Sequence, residues 1–249
     1  MAKIKKARKI RRKAREALKA VRCSADKDAV HDLRTGLRRC EALSSQPLPK
    51  PVKKLRKQAG RVRDCDVLLK LLDDLELKKT DSAAASKLEN TIGGQRDKYC
   101  CELVRLAGKV GLSKLKKWSS KHVTQPGRGM DGLLSDFHRT IEDSDYANLG
   151  EHNLHDFRLE IKPLRYRAEM FKGIEAESIA RRLNAIQSAI GDWHDLVLLA
   201  DLAEQVLGGG ENPALNKIRG EVERSYRDCL HTALRQKKAL SQIKLRSTK

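Results

Sequence analysis

The sequence contains few aromatic residues, no C-x-x-C cysteine pair and no long apolar run. Phe, Trp and Tyr make up only 4% of the 249 residues, which disfavours a β-sheet protein because strands draw on aromatic and β-branched residues. The six cysteines form no C-x-x-C pair, so a thiolate zinc site is not expected. No run approaches the roughly 20 apolar residues that span a bilayer, and the charged N-terminus does not resemble a secretory signal. We therefore predict a cytoplasmic protein with reduced cysteines and no membrane-spanning helix.

Leu, Ala, Lys, Arg and Glu, which are strong helix formers, dominate the composition of the sequence. Their spacing predicts an all-α fold with about eight main helices and a shorter one at about 112–119. The main helices are predicted at about 3–22, 28–43, 52–77, 82–107, 131–143, 152–172, 176–207 and 213–241. The segment SSKHVTQPGRGMDG at 119–132 is rich in Pro, Gly and polar residues, and we predict that it links an N-terminal half, 1–120, to a C-terminal half, 121–249.

The charge of the chain is strongly positive and uneven. The formal net charge is +20, and the first 80 residues hold 25 Lys and Arg against 10 Asp and Glu. Such a surplus predicts a polyanionic partner, for which nucleic acid, an anionic membrane surface and a phosphate polymer are candidates. Residues 3–22 form a basic amphipathic pattern, which fits either a packed first helix with a solvated basic face or a helix that joins the polyanion site. A membrane-surface helix is disfavoured because the apolar side is mostly Ala with no aromatic residue, so no membrane partner is expected.

Two phrases occur twice along the chain. His-Asp, an apolar residue and Arg begin at His31 and again at His155, 124 residues later. A Gly-x-x-x-Asp phrase followed by an apolar run begins at Gly60 and again at Gly191, 131 residues later. A helical unit written twice predicts two pseudo-symmetric halves.

The repeated phrase places basic side chains in a line along a helix. Positions i, i+3 and i+7 share one stripe, so we define the first row as His31, Arg34 and Arg38 and the second row as His155, Arg158, Lys162 and Arg165. Each row lies beside the apolar stripe rather than opposite it, which is unusual for cations that serve solubility. The next helix of the first half adds Lys53, Arg56, Lys57 and Arg63. Arginine forks donate paired hydrogen bonds to phosphate, and we expect Asp32, Asp64, Asp156 and Asp195 to orient them.

These residues resemble the CHAD family, the conserved histidine α-helical domain. The resemblance is carried by HDLRTGLRR at 31–39, GRVRDCDVL at 60–68, HDFRLEIKPLRYRAE at 155–169 and GDWHDLVLL at 191–199. It implies a single domain over 1–249 that consists of two four-helix bundles related by a pseudo-twofold axis, with a basic central cavity that binds inorganic polyphosphate. It also implies no catalysis by the domain itself. The contacts that it implies are His31, Arg34, Arg38, Arg39, His155, Arg158, Lys162 and Arg165.

The sequence departs from the family pattern at two positions. Pro163 lies inside the second phrase and is expected to kink the helix or shift its start, because proline lacks a backbone N–H. Glu41 occupies the position that matches Arg165, so the first row is expected to be shorter at that end, with Arg39 as compensation.

The sequence therefore predicts a non-enzymatic protein that binds polyphosphate through two half-sites facing one ligand and uses no cofactor or metal. Polyphosphate-metabolising enzymes or granules are further expected partners, and weak nonspecific nucleic-acid binding is an expected side effect. One alternative is a sequence-independent nucleic-acid-binding protein, against which the scarcity of aromatic side chains counts. The other is a metal-dependent phosphohydrolase, suggested by the His-Asp pairs at 31–32, 155–156 and 194–195 but disfavoured by the cations that crowd the first two.

Overall fold

The structure, a computed structural model, describes residues 2–44, 46–122, 130–142, 146–208 and 210–243. These residues contain ten α-helices and no β-strand, which confirms the all-α prediction. The helices are α1 (Ala2–Cys23), α2 (Lys27–Ala42), α3 (Lys50–Asp74), α4 (Leu77–Thr80), α5 (Ser82–Lys109), α6 (Leu112–His122), α7 (Met130–Glu142), α8 (Glu151–Ala168), α9 (Ile174–Leu207) and α10 (Pro213–Ser241).

Local chemistry explains where several of these helices begin and end. The side chains of Asp26 and Asp81 accept hydrogen bonds from backbone N–H groups of α2 and α5, as aspartate does at a helix N-cap. Helix α3 was predicted to reach residue 77 but ends at Asp74, because Glu76 adopts a left-handed conformation with φ 48° that a helix cannot continue through. A separate short helix, α4, follows this break.

Both ends of the predicted linker belong to helices. Residues 119–122 belong to the end of α6, and residues 130–132 belong to the start of α7. The remaining residues of the predicted linker, 123–129, lie outside the described residues.

The chain divides into two compact units. The first unit comprises 1–125 together with 198–218, and the second comprises 126–197 together with 219–249. The ends of α9 and α10 that meet near residue 210 thus belong to the first unit, where Leu199 and Leu215 pack in one apolar cluster with Leu77 and Leu88. The sequence-based description of one domain with halves 1–120 and 121–249 stays a prediction.

Each unit buries an apolar core beneath its basic helices. In the first unit, Leu33 of α2 and Leu55 of α3 are fully buried together with Leu103 of α5. In the second unit, Phe157 and Ile161 of α8 are fully buried in the cluster that also contains residues of α7, α9 and α10. Burial of these stripes fixes the rotation of each helix, and so fixes the direction in which the adjacent cationic row points.

Helix α1 contributes to the core of the first unit as well as to its surface. Leu18 and Val21 are fully buried, and Ala14 faces α2 at close range. A Cβ atom on Gly36 would lie only 3.0 Å from the Cα atom of Ala14, so glycine is what permits this approach. Helix α1 is therefore packed against the core of the first unit, and the role of its basic face stays a prediction. None of the described helices combines the length and apolarity needed to cross a membrane.

Candidate functional site

In the first unit, Arg34 of the first row lies against α3. Arg34 is mostly buried, with 22% of its side chain exposed, and its Nη2 lies 3.7 Å from the Asp64 carboxylate. Gly60 of α3 also faces Arg34, since a Cβ atom at this glycine would lie 3.9 Å from Arg34 Nε. The repeated His-Asp phrase on α2 and the repeated Gly phrase on α3 therefore meet at one place.

The second unit repeats this arrangement more tightly. Arg158 of α8 lies against Gly191 of α9, where a Cβ atom would lie 2.7 Å from Arg158 Nη2 and 3.3 Å from Nε. Arg158 Nε also donates a hydrogen bond of 3.1 Å to the backbone carbonyl of Gln187. We call each pairing an arginine notch: Arg34 with Gly60 in the first unit, and Arg158 with Gly191 in the second. Both notches join residues that the sequence repeat had matched.

Gln187 is a residue of this site that the sequence analysis missed. Its Oε1 accepts a hydrogen bond of 2.5 Å from Arg165 Nε, while its backbone carbonyl holds Arg158. Because a guanidinium can only donate, Oε1 must face Arg165 and the amide NH₂ must point elsewhere. Gln187 is 6% exposed, and its Nε2 has no hydrogen-bond partner among the described residues. One glutamine thus orients two arginines of the second row and keeps a buried donor unsatisfied.

Arg165 is held from several directions. Besides Gln187, its Nη1 lies 2.6 Å from Glu169 Oε1, and its guanidinium carbon lies 4.3 Å from the centre of the Tyr166 ring. Only 15% of its side chain is exposed. This guanidinium is therefore fixed by its surroundings before any ligand arrives.

Glu41 has a structural explanation in the first unit. Its carboxylate lies 3.2 Å from Arg56 Nε, and these residues match Arg165 and Gln187 of the second unit by the two repeat spacings. In the first unit the arginine of this pair is Arg56 on α3, whereas in the second unit it is Arg165 on α8. Helix α2 has no basic residue at position 41, but Arg56 of α3 places a guanidinium next to it. The Glu41 carboxylate offsets the charge of Arg56.

Pro163 does not interrupt the second row. Helix α8 is continuous from Glu151 to Ala168 with Pro163 inside it, so the expected shift of the helix start is wrong. Pro163 is exposed, on a side of the helix where water can satisfy the carbonyl that loses its N–H donor. Arg158 and Arg165, which flank it, both reach Gln187, so the row remains aligned through the proline.

Two histidines of the second unit stack on one another. The rings of His155 and His194 lie 4.4 Å apart between centroids, at 28° to each other. Burial lowers the pKa of His155, as do His194, Arg158 and Lys162, and Asp156 opposes them. His155 Nδ1 is buried without a hydrogen-bond partner in the described residues. By the repeat spacing His194 matches Arg63, so a titratable residue stands where the first unit carries a permanent cation.

The other predicted residues range from half-buried to exposed. Arg38, Arg39, Arg63 and Lys162 are half-buried, whereas His31, Lys53 and Lys57 are exposed. Of the aspartates expected to orient the rows, Asp64 contacts Arg34, and Asp195 lies 3.9 Å from His194 Nδ1. Asp32 and Asp156 are exposed. Among the residues that the structure describes, no three His, Cys, Asp or Glu side chains converge in a way that could hold a metal ion.

The family model of the CHAD domain matches residues 5–204, which include both rows and both arginine notches. The chain belongs to the CHAD-domain family. A solved CHAD domain from the plant Ricinus communis is similar at 18% identity and a TM-score of 0.63, covering 96% of this chain and 90% of that one. PptA from Streptomyces chartreusis is similar at 16% identity and a TM-score of 0.63, covering 94% of this CHAD protein and 96% of its own chain. At these identities the solved structures show a shared fold alone, and no curated protein matches the chain significantly.

Proposed function

We propose that this CHAD-domain protein binds inorganic polyphosphate through its two rows and catalyses no reaction of its own. The observation that carries the proposal is the arginine notch, which occurs in both units at positions that the sequence repeat matches. A solvated cation needs no glycine opposite it. In the second unit a Cβ atom at position 191 would lie 2.7 Å from Arg158 Nη2, so glycine is what lets this guanidinium lie against α9.

The chemistry of the rows suits a phosphate chain. Polyphosphate carries closely and evenly spaced negative charge and has no sequence to be read. Arginine donates two parallel hydrogen bonds to phosphate oxygens, and such charge-assisted bonds are stronger where water is partly excluded. Arg34 and Arg165 are 22% and 15% exposed, so their forks are both pre-oriented and partly desolvated. Release of counterions from the polymer would add to affinity and make it fall steeply with salt.

The proposal extends to the partners and place of action inferred from the sequence. We propose a cytoplasmic protein that meets polyphosphate directly, with polyphosphate granules or polyphosphate-metabolising enzymes as the setting. Nucleic acid shares the phosphate backbone and would bind through charge alone. Binding to its bases is disfavoured because only 4% of the residues are aromatic and could stack on them.

Charge reversal at the two notches tests the proposal. Arg34→Glu and Arg158→Glu should each weaken the binding of labelled polyphosphate by about tenfold or more, since each removes at least one charge-assisted hydrogen bond worth about 1.5–3 kcal/mol. Lys98→Glu, at an exposed position of α5, makes the same change in net charge and is the matched control. Circular dichroism should show full helicity in all three proteins.

The comparison between the variants and the control decides the matter. Binding by both notch variants that equals binding by the Lys98→Glu control would mean that overall charge, and not the rows, holds the polymer. The function proposed here would then be wrong, even if every protein still bound polyphosphate at low salt.

A further inference from the structure

A second concentration of positive charge lies outside both rows, in the first unit. Helices α1 and α6 enclose a groove of about 310 Å³. Four of its seven lining residues are basic and one is acidic: Arg12, Arg15, Glu16, Lys19, Leu112, Ser113 and Lys116. None of these residues belongs to the repeated phrases, so the polyphosphate rows do not account for the groove.

Arginine contacts at two points hold the walls of this groove in place. Near the end of α1, Arg22 donates hydrogen bonds of 2.9 and 2.5 Å to the carbonyls of Ala107 and Val110, just before α6 begins. Nearer the start of α1, Arg11 Nη1 donates a hydrogen bond of 3.2 Å to the carbonyl of Ser120 in α6. Since the apolar side of α1 is also buried in the core, the fold fixes the backbone positions that carry the four cations.

The groove has a net positive charge. Its lining has four cations against the one carboxylate of Glu16. The Glu16 carboxylate lies 3.5 Å from Arg12 Nε, but the Glu16 side chain is 60% exposed and the Arg12 side chain 64% exposed. Ion pairs as exposed as this one contribute little, so an incoming anion can displace Glu16 from Arg12 at small cost.

We propose that this groove is a second anion-binding site, separate from the rows, that takes a short phosphate chain. Its volume is at the lower end of the range of about 300–1,000 Å³ for small-molecule sites, which suits a ligand of a few phosphates. Arg12 and Arg15 supply paired donors, and Lys19 and Lys116 supply point charges from opposite walls. No aromatic side chain lines the groove, so a base would find nothing to stack on and a nucleotide or nucleic acid is disfavoured.

Calorimetric titration with tripolyphosphate on the full chain tests this site. The groove variant is Arg15→Gln/Lys19→Gln/Lys116→Gln, which brings the lining to zero net charge while keeping the pair of Arg12 and Glu16. The control variant is Lys70→Gln/Lys87→Gln/Lys98→Gln, which removes the same charge from exposed positions of the same unit. We expect the groove variant to bind one tripolyphosphate fewer per chain than the control. Equal stoichiometry and affinity in the two variants would overturn the proposal.

Substitution is a cleaner test than deletion of residues 1–22, because Leu18 and Val21 belong to the core and their removal would damage the first unit. If the triple groove variant loses helicity, Lys19→Glu/Lys116→Glu answers the same question, since both lysines are exposed. An unchanged number of bound ligands in that double variant would likewise refute the site.

The proposals for the groove and for the rows can be refuted independently of each other. The Arg34→Glu/Arg158→Glu variant should still bind tripolyphosphate in the groove. Loss of all tripolyphosphate binding in that variant would refute the groove and leave the rows as the binding site. Loss of all tripolyphosphate binding in the groove variant, with binding kept in the Arg34→Glu/Arg158→Glu variant, would refute the rows as a tripolyphosphate site and leave the groove.

Discussion

Replacing Gly191 by alanine should weaken polyphosphate binding while leaving the fold intact. The new methyl carbon would lie 2.7 Å from Arg158 Nη2, a distance at which the guanidinium must move. Moving it costs the folded protein little, because the guanidinium is the far end of a flexible side chain. The movement does break the bond of 3.1 Å from Arg158 Nε to the carbonyl of Gln187.

The free energies can be estimated for folding and for binding separately. Glycine to alanine within a helix stabilises by about 1 kcal/mol, and a lost hydrogen bond costs about 0.5–1.5 kcal/mol, so net stability should change by less than about 1 kcal/mol. A displaced arginine forfeits a charge-assisted bond to phosphate worth about 1.5–3 kcal/mol, so affinity should fall by about 10- to 100-fold.

The matched glycine of the first unit provides the control. A methyl carbon on Gly60 would lie 3.9 Å from Arg34 Nε, which is an ordinary van der Waals distance. Gly60→Ala should therefore stabilise the protein by about 1 kcal/mol and leave binding unchanged. Thermal unfolding and a fluorescence titration with labelled polyphosphate measure the two effects. Equal affinities for the Gly191→Ala and Gly60→Ala variants would refute the reasoning about the notch.

Three further predictions follow from individual contacts. Glu41→Gln should raise polyphosphate affinity about two- to fivefold in a titration, because it frees Arg56 from its ion pair; unchanged affinity would mean that Arg56 takes no part in binding. Phe157→Ala should cost about 3–5 kcal/mol of unfolding free energy in urea, whereas Leu159→Ala, at a side chain 46% exposed on the same helix, should cost little; similar losses would contradict the burial described. Since the folded protein lowers the pKa of His155 from 6.5, the unfolded chain takes up this proton first, and stability from this residue is lost as pH falls below 6.5. His155→Gln should therefore flatten the fall in melting temperature on acidification, and an unaltered pH profile would contradict that assignment.

The helices themselves could be predicted closely from the sequence because their signals are local. Pro49 and Pro51 stand at the start of α3, and the side chains of Asp26 and Asp81 cap α2 and α5 through contacts a few residues long. The end of α3 was missed because the left-handed conformation of Glu76 has no strong signal in a residue that is not glycine or asparagine.

The rows could be predicted in part, because a row follows from the period of one helix. Contacts between helices depend on how two helices are set against each other, which the period of either one does not contain. For this reason Gln187 and His194 were absent from the predicted site residues, although they touch Arg165 and His155 respectively. The repeat held a usable signal, since His194 matches Arg63, which was among the predicted residues.

Pro163 shows how burial decides the effect of a local rule. Proline in a helix interior removes a donor, and the sequence alone gave reason to expect a displaced helix. The residue proves to be exposed, where water replaces the missing partner, and α8 continues through it. Exposure of a single side chain depends on the packing of the whole unit and is not visible in the phrase itself.

A competition titration tests the central claim most directly. Labelled polyphosphate of defined length is bound to the full chain at about 150 mM salt and challenged with tRNA or duplex DNA at equal phosphate concentration, where nonspecific contacts are weakened. If the rows form a dedicated polyphosphate site, the label stays bound while nucleic acid is added. If nucleic acid displaces polyphosphate equally well, the net charge of +20 suffices to explain binding, and the oriented arginines serve another purpose.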